Sequence, residues 1–192
     1  MQETEITVEL LESVDYAKKK LDTEGFEIVE EVVMTDYYIS KFSTEELLAM
    51  DYSEIIRNSF IIRQVISPEE TSLVLLYKDK TVDGNNNVIA EQKVKCPIEN
   101  LQKALQIFDL CKLNCWCEIK QVMTVFKKGK IQFAMQEVEN LGTFIEYEED
   151  DDMKDMSEYE KIELLLSRLR DIGLELGDDY SCKKVYMKFK GR

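Results

Sequence analysis

Glu146 and Glu148 stand two residues apart in Gly142-Thr143-Phe144-Ile145-Glu146-Tyr147-Glu148-Glu149, a run otherwise apolar enough for a buried strand. Side chains of an extended chain alternate between faces, so Phe144, Glu146 and Glu148 share one side while Ile145 and Tyr147 share the other. Carboxylates that face an interior need a compensating cation or basic groups. Near the other end of the chain, Glu3-Thr4-Glu5-Ile6-Thr7-Val8-Glu9 repeats the pattern, with Glu3, Glu5, Thr7 and Glu9 opposite Thr4, Ile6 and Val8. Two such acidic strands make a candidate cation site. Taken singly, either stretch reads more simply as an antiparallel strand with its polar face in water.

The rest of the composition narrows the chemistry. The 192 residues include no histidine, which excludes Ser-His and Cys-His nucleophile pairs, histidine general bases and histidine-ligated zinc. A net charge of -14 argues against nucleic acid or an anionic membrane as partner, since both need a basic surface. A small anion in a locally basic cavity stays open. Neither phosphate-cradling glycine loop, Gly-x-x-x-x-Gly-Lys or Gly-x-Gly-x-x-Gly, is present. The five cysteines, Cys96, Cys111, Cys115, Cys117 and Cys182, are an odd number without Cys-x-x-Cys spacing, which predicts reduced, structural thiols. No apolar run reaches membrane-spanning length, and the start lacks the basic and apolar regions of a signal peptide. A cytoplasmic location is expected.

Elements that would position the carboxylates follow in order. Leu11 to Leu21 has helical periodicity and ends near Gly25; Phe26 to Ser40 is β-branched and aromatic, one bent strand or two. Ser43 and Glu46 form a capping-box pattern before a short helix. Ser59 to Ile66, Leu73 to Lys78 and Val88 to Val94 read as strands, and Pro97 as the first turn of a helix that includes Leu101, Leu105 and Phe108. Trp116 to Phe126 and Lys130 to Gln136 flank a hairpin turn at Lys127-Lys128-Gly129. Glu148 to Asp152 reads as a solvated acidic loop, and Ser157 to Glu160 as the cap of a helix with Ile162, Leu165, Leu166 and Leu169. Val185 to Phe189 reads as a last strand. Many antiparallel strands with interspersed helices give an α+β fold, and a closed barrel is the natural container for interior charge. The length suits one domain over residues 1–192.

In sequence order these pieces resemble the CYTH superfamily, the triphosphate tunnel metalloenzymes that include class IV adenylate cyclases and thiamine triphosphatases. Glu3 and Glu5 match the opening Glu-x-Glu-x-Lys, with Thr7 at the lysine position. Asp36-Tyr37-Tyr38 is similar to the Asp-x-Tyr strand, Phe60-Ile61-Ile62-Arg63 to Leu-Arg-Ile-Arg, and Leu75-Leu76-Tyr77-Lys78 to Leu-Thr-Tyr-Lys. Ile89-Ala90-Glu91-Gln92-Lys93 resembles Arg-x-Glu-x-Glu and keeps only Glu91. Ile119 to Phe126 corresponds to a basic strand, with Gln121 and Met123 at its basic positions. Met135 to Gly142 resembles Leu-Asp-Glu-Val-Glu-Gly-Leu-Gly, and Phe144-Ile145-Glu146-Tyr147-Glu148 matches the closing Phe-x-Glu-x-Glu in full.

The resemblance implies an antiparallel eight-stranded barrel with surrounding helices and a tunnel that takes a triphosphate or smaller phosphorylated ligand. Glutamates there hold Mg2+ or Mn2+ and basic residues hold phosphate. Carried over, the metal residues are Glu5, Glu146 and Glu148, supported by Glu3 and Glu91, and the phosphate contacts are Arg63 and Lys78. Five basic positions are replaced by Thr7, Ile61, Ile89, Gln121 and Met123. At about 1.5 to 3 kcal/mol per charge-assisted contact, the discounted deficit is about 4 kcal/mol, roughly a thousandfold in affinity. Ile and Met at those positions also imply a partly filled tunnel. Lys120, Lys127, Lys128 and Lys130 offer replacements from a shifted register, although a solvated hairpin fits them better. Three functions stay open: a weak metal-dependent triphosphate hydrolase or adenylate cyclase-like enzyme, a non-catalytic anion-binding protein, and a barrel retained for its fold. The catalytic residues, and whether the chain is a monomer or homodimer, stay open too.

Overall fold

The computed structural model describes residues 3–190. Its strands are β1 (Glu5–Glu9), β2 (Glu27–Ser40), β3 (Phe60–Ile66), β4 (Thr71–Val82), β5 (Val88–Pro97), β6 (Asn114–Lys128), β7 (Ile131–Val138) and β8 (Gly142–Glu148). They form one sheet in the order β1-β8-β7-β6-β2-β3-β4-β5, antiparallel at every step. The sheet curls until its outer strands meet: Glu3 and Glu91 exchange backbone hydrogen bonds of 2.9 and 2.8 Å. This is the α+β architecture expected from the strand pattern and the eight-stranded antiparallel sheet that the resemblance implies. β2 is a single strand rather than two. Register shifts between Ile28 and Glu30 and between Tyr38 and Ile39 let it bend while it pairs with both β3 and β6.

The main apolar core lies outside the barrel. Ile6 and Val8 of β1, Ile145 and Tyr147 of β8 and Phe133 and Met135 of β7 pack against α1 (Val14–Thr23) and α5 (Glu158–Asp171). Leu21, Leu165 and Leu169 are fully buried there, each contributing about 1.5 to 3 kcal/mol. The capping boxes are formed: Ser157 with Glu160 at α5, and Ser43 with Glu46 at α2 (Thr44–Leu48). Covering that outer face turns the other face of β1 and β8, the carboxylate face, inward.

Two ends of the interior are closed by helices. α3 (Tyr52–Arg57), which the sequence pattern did not reveal, seats Tyr52 and Ile56 beside Val88. At its N-terminus Asp51 and Glu54 make a capping box. The other end corrects an expectation: Val185 to Phe189 is no strand but part of α6 (Lys184–Lys190). A short apolar run fits either element by periodicity, and the helix wins by burying Val185 against Cys117, Ile119 and Phe144. Pro97 is also corrected. It ends the edge strand β5, where a missing N–H is harmless, and Asn100 instead caps α4 (Leu101–Leu110) by accepting from the Lys103 N–H at 2.9 Å. The expected acidic loop after β8 is partly structured as a 3-10 turn (Asp151–Met153), with Asp150 bound to Arg168 at 2.6 Å and Glu149 to Lys161 at 2.6 Å.

Candidate functional site

Strand register assembles the charges. On β1 and β8, Glu5 lies opposite Glu148 and Thr7 opposite Glu146, so the two acidic strands are immediate neighbours. On β4 and β5, Lys80 lies opposite Glu91 and Lys78 opposite Lys93. On β2 and β3, Asp36 lies opposite Arg63. Because the strands alternate faces and the sheet edges meet at Glu3 and Glu91, these side chains converge inside the barrel.

The interior charges are paired with one another. Arg63 donates to both oxygens of Asp36, at 2.7 and 2.8 Å, the fork geometry that best matches a carboxylate. The Lys80 ammonium lies 3.2 Å from Glu5 and 3.0 Å from Glu91, and Lys78 lies 3.2 Å from Glu91. Lys93 reaches Glu91 and Glu148 at 2.7 Å and Glu5 at 3.2 Å. From α6, Lys184 hydrogen-bonds the side-chain oxygen of Gln136 and lies 3.5 Å from Glu146, and Gln136 in turn donates to Glu146 at 3.0 Å.

These pairs set the ionisation. Burial works to raise the Glu5 carboxyl, but Lys80, Lys78 and Lys93 hold it well below the usual carboxylate range. Burial works the same way on Asp36 and is overcome by Arg63. Glu146 is likewise lowered against burial, chiefly by Lys184. Lys78 behaves differently. Burial pushes it down to about 8, more than the attraction of Glu5 restores. Burial also lowers Lys184.

The glutamates, Arg63 and Lys78 carried over from the sequence lie on this interior network or its rim. Glu5, Arg63, Lys78 and Glu146 line one cavity; Glu91 is fully buried behind the lysines; Glu148 and Glu3 approach Lys93, at 2.7 and 3.6 Å. Sequence reasoning missed Lys80, Lys93 and Lys184. Lys80 and Lys93 had a readable signal, since each stands two residues from a matched interior residue, Lys78 and Glu91. Lys184 had none, because it lies on the helix read as a strand. The hairpin lysines are not replacements: Lys127 is exposed, Lys120 pairs with Glu118 at 3.2 Å and Lys130 with Asp152 at 2.8 Å. Of the substituted basic positions, Thr7, Ile61 and Gln121 line the cavity, whereas Ile89 packs against the outer core.

The cavity volume is about 40 Å3, room for a few water molecules and far below the about 300 to 1,000 Å3 of a small-molecule pocket. Tyr38, Tyr52, Ile56 and Val185 narrow it. In its wall, the buried side-chain oxygen of Gln121 has no hydrogen-bond partner among the described residues. A larger cleft of about 670 Å3 lies at the β7–β8 turn and α6, lined by Lys120, Glu139, Asn140 and Lys188 among others; the paired interior charges do not reach it. The donor set for a metal is sound in kind: one oxygen each from Glu5, Glu146 and Glu148 lie within 4.8 Å of one another, and hard divalent ions prefer carboxylate oxygen. Glu3 and Glu91, expected to support it, face lysine instead.

Comparison with known proteins finds the same overall fold. No family model matches the chain. It is 25% identical, over 97% of its length and 99% of the relative, to a Methanocaldococcus jannaschii protein named "putative adenylate cyclase". The PH1819 protein of Pyrococcus horikoshii shares its fold at a TM-score of 0.73 with 20% identity, covering 99% of both chains. A "putative adenylate cyclase" of Vibrio parahaemolyticus does so at 0.61 with 15% identity, covering 90% of this chain and 89% of its own. The likeness to the two solved structures shows a shared fold. No helix among the described residues is long and apolar enough to cross a membrane.

Proposed function

We propose that this chain binds the polyphosphate of a small phosphorylated molecule, a nucleoside triphosphate or a shorter anion, in the barrel interior, as a CYTH-like protein of adenylate cyclase type. One observation carries the reading: Arg63, Lys78, Lys80 and Lys184 line the same enclosed cavity as Glu5 and Glu146. Four buried cations at one surface are costly unless their charge is used, and here they are held by carboxylates that an incoming phosphate can replace. The basic deficit inferred from sequence is thereby partly filled by Lys80 and Lys184. Mg2+ or Mn2+, held by Glu5, Glu146 and Glu148, would supply neutralisation of phosphate charge when bound. The chain's own residues clamp the phosphates, with Arg63 fixed in orientation by Asp36 and Lys184 brought in on α6.

The small cavity favours a second reading, a protein that holds an anion without turnover. Polyphosphate entry requires the interior ion pairs to exchange partners and α6 to give way, so turnover is weak. Calorimetry with tripolyphosphate on the native protein and on Lys80→Met, together with release assays for phosphate, pyrophosphate and cyclic nucleotide from ATP, separates the cases. Binding lost in Lys80→Met with weak product release supports the enzyme. Binding without release supports the anion-binding protein, and absence of binding rejects both.

A further inference from the structure

We propose that Lys93 is a built-in cation that occupies the carboxylate cage in place of a metal ion and sets how tightly the barrel can bind one. The inference rests on the reading of Glu5, Glu146 and Glu148 as a divalent-ion site. The Lys93 ammonium lies 2.7 Å from Glu91, 2.7 Å from Glu148, 3.2 Å from Glu5 and 3.6 Å from Glu3. It touches every carboxylate expected to hold metal except Glu146. The ammonium donates hydrogen bonds to Glu148 and Glu5, and Glu91 and Glu3 are ion-pair contacts.

The number of carboxylates around it distinguishes Lys93 from Lys78 and Lys184. Among the described residues Lys78 has a single carboxylate, Glu91, within salt-bridge distance, and Lys184 faces Glu146 and the amide of Gln136, so each keeps capacity for an incoming anion. Lys93 is surrounded by four. Its side chain comes from β5, the edge strand that meets β1 at Glu3 and Glu91, so the charge is delivered at the seam where Glu5 and Glu148 also project. With the cage neutralised from within, the carboxylates need no divalent ion to remain ionised side by side. A metal ion at Glu5 and Glu148 must displace the ammonium or sit against a like charge at a few ångströms, and either weakens its binding.

Mn2+ binding without any phosphorylated ligand tests this. Free Mn2+ is counted by electron paramagnetic resonance and the melting temperature is followed in the same titrations, for the native protein, Lys93→Met, Lys93→Gln and the control Lys95→Met, an exposed lysine of the same strand. Lys93→Met and Lys93→Gln should bind Mn2+ about tenfold more tightly or better, melt lower than the native protein without metal, and recover when Mn2+ is added. Lys95→Met should match the native protein. A variant that folds only with Mn2+ present supports the inference equally. Tight Mn2+ binding by the native protein, or no gain in either Lys93 variant, overturns it, and the native titration alone decides if neither variant folds. The outcomes are separable from the function proposed above. Tripolyphosphate binding by the native protein with unchanged Mn2+ affinity in the variants sinks only the role of Lys93; gained Mn2+ with no tripolyphosphate binding sinks only the polyphosphate reading.

Discussion

Lys78 and Lys93 lie directly opposite each other on β4 and β5, yet Lys93 has four carboxylates within 4 Å. Among the described residues Lys78 pairs with Glu91 alone, at 3.2 and 3.4 Å to its two oxygens, and sits beside Lys80 and Arg63, which repel it. Two lysines of one register pair thus have different tasks, one satisfied by the protein and one left short of negative charge.

Burial, which that shortage leaves uncompensated, gives Lys78 a pH signature. Its folded pKa of about 8 lies below the ordinary 10.5, so between those values the unfolded chain binds the proton and the folded chain does not. Stability from this group therefore rises with pH across that window, and the penalty of the buried charge is fully present below it. The whole effect is about 3 kcal/mol. The stability difference between the native protein and Lys78→Met, from urea unfolding at a series of pH values, should change across this window by that order in favour of the native protein. Tripolyphosphate affinity should fall over the same rise, as the ammonium is lost. A flat difference and pH-independent binding would show that Lys78 is solvated and keeps its ordinary pKa.

Arg63 and Asp36 form a two-pronged pair in the interior, and removing one partner strands the other. Asp36→Ala leaves a buried guanidinium without its carboxylate and is expected to cost about 3 to 5 kcal/mol. The double variant Asp36→Leu, Arg63→Met should recover most of that loss, because neither charge is then buried alone. Denaturant unfolding of both variants checks the order. A double variant no more stable than the single would mean that the pair is held for packing rather than charge.

How much of this was legible depends on whether a feature is local. The alternation of Glu146 with Ile145 and of Glu5 with Ile6 fixed which faces turn inward, and turn residues placed most strands. The capping boxes at Ser43 and Ser157 located two helices. What stayed hidden depends on partners distant in sequence. Lys93 stands two residues from Glu91, but its contacts with Glu5 and Glu148 arise only where β5 meets β1, and Lys184 stands just before the run read as a strand until Val185 finds the open end of the barrel. Pro97 misled for a related reason: a proline suits a first helical turn and a strand edge equally well, and only the pairing of β5 decides.

Gln121 offers a test of whether the cavity is wet or filled. Its side-chain oxygen is buried without a partner, a group that costs stability unless a water or a ligand hydroxyl donates to it. Gln121→Leu removes that group at similar volume. If the cavity is dry, the variant should be more stable than the native protein by about 1 kcal/mol, with tripolyphosphate binding unchanged. A loss of stability together with weaker binding would assign the oxygen to a bound water that the ligand also uses.

Ile61 separates a site rebuilt from its own lysines from one that lost its cations. The sequence marks Ile61 as a missing basic residue, and on that reading Ile61→Arg should restore phosphate affinity. The structure argues for the opposite result. Ile61 is 1% exposed and lines a cavity of about 40 Å3 already faced by Arg63, Lys78, Lys80 and Lys184. A guanidinium there has neither room nor a free carboxylate, so it adds overpacking to an unpaired buried charge. Ile61→Arg is expected to lose about 3 kcal/mol or more, measured by urea unfolding. Its affinity for tripolyphosphate at low salt should not exceed that of the native protein, while saturating tripolyphosphate should return part of the lost melting temperature by neutralising the added charge. A variant as stable as the native protein that binds tripolyphosphate about tenfold more tightly would show that the barrel opens in solution and that its cations are too few.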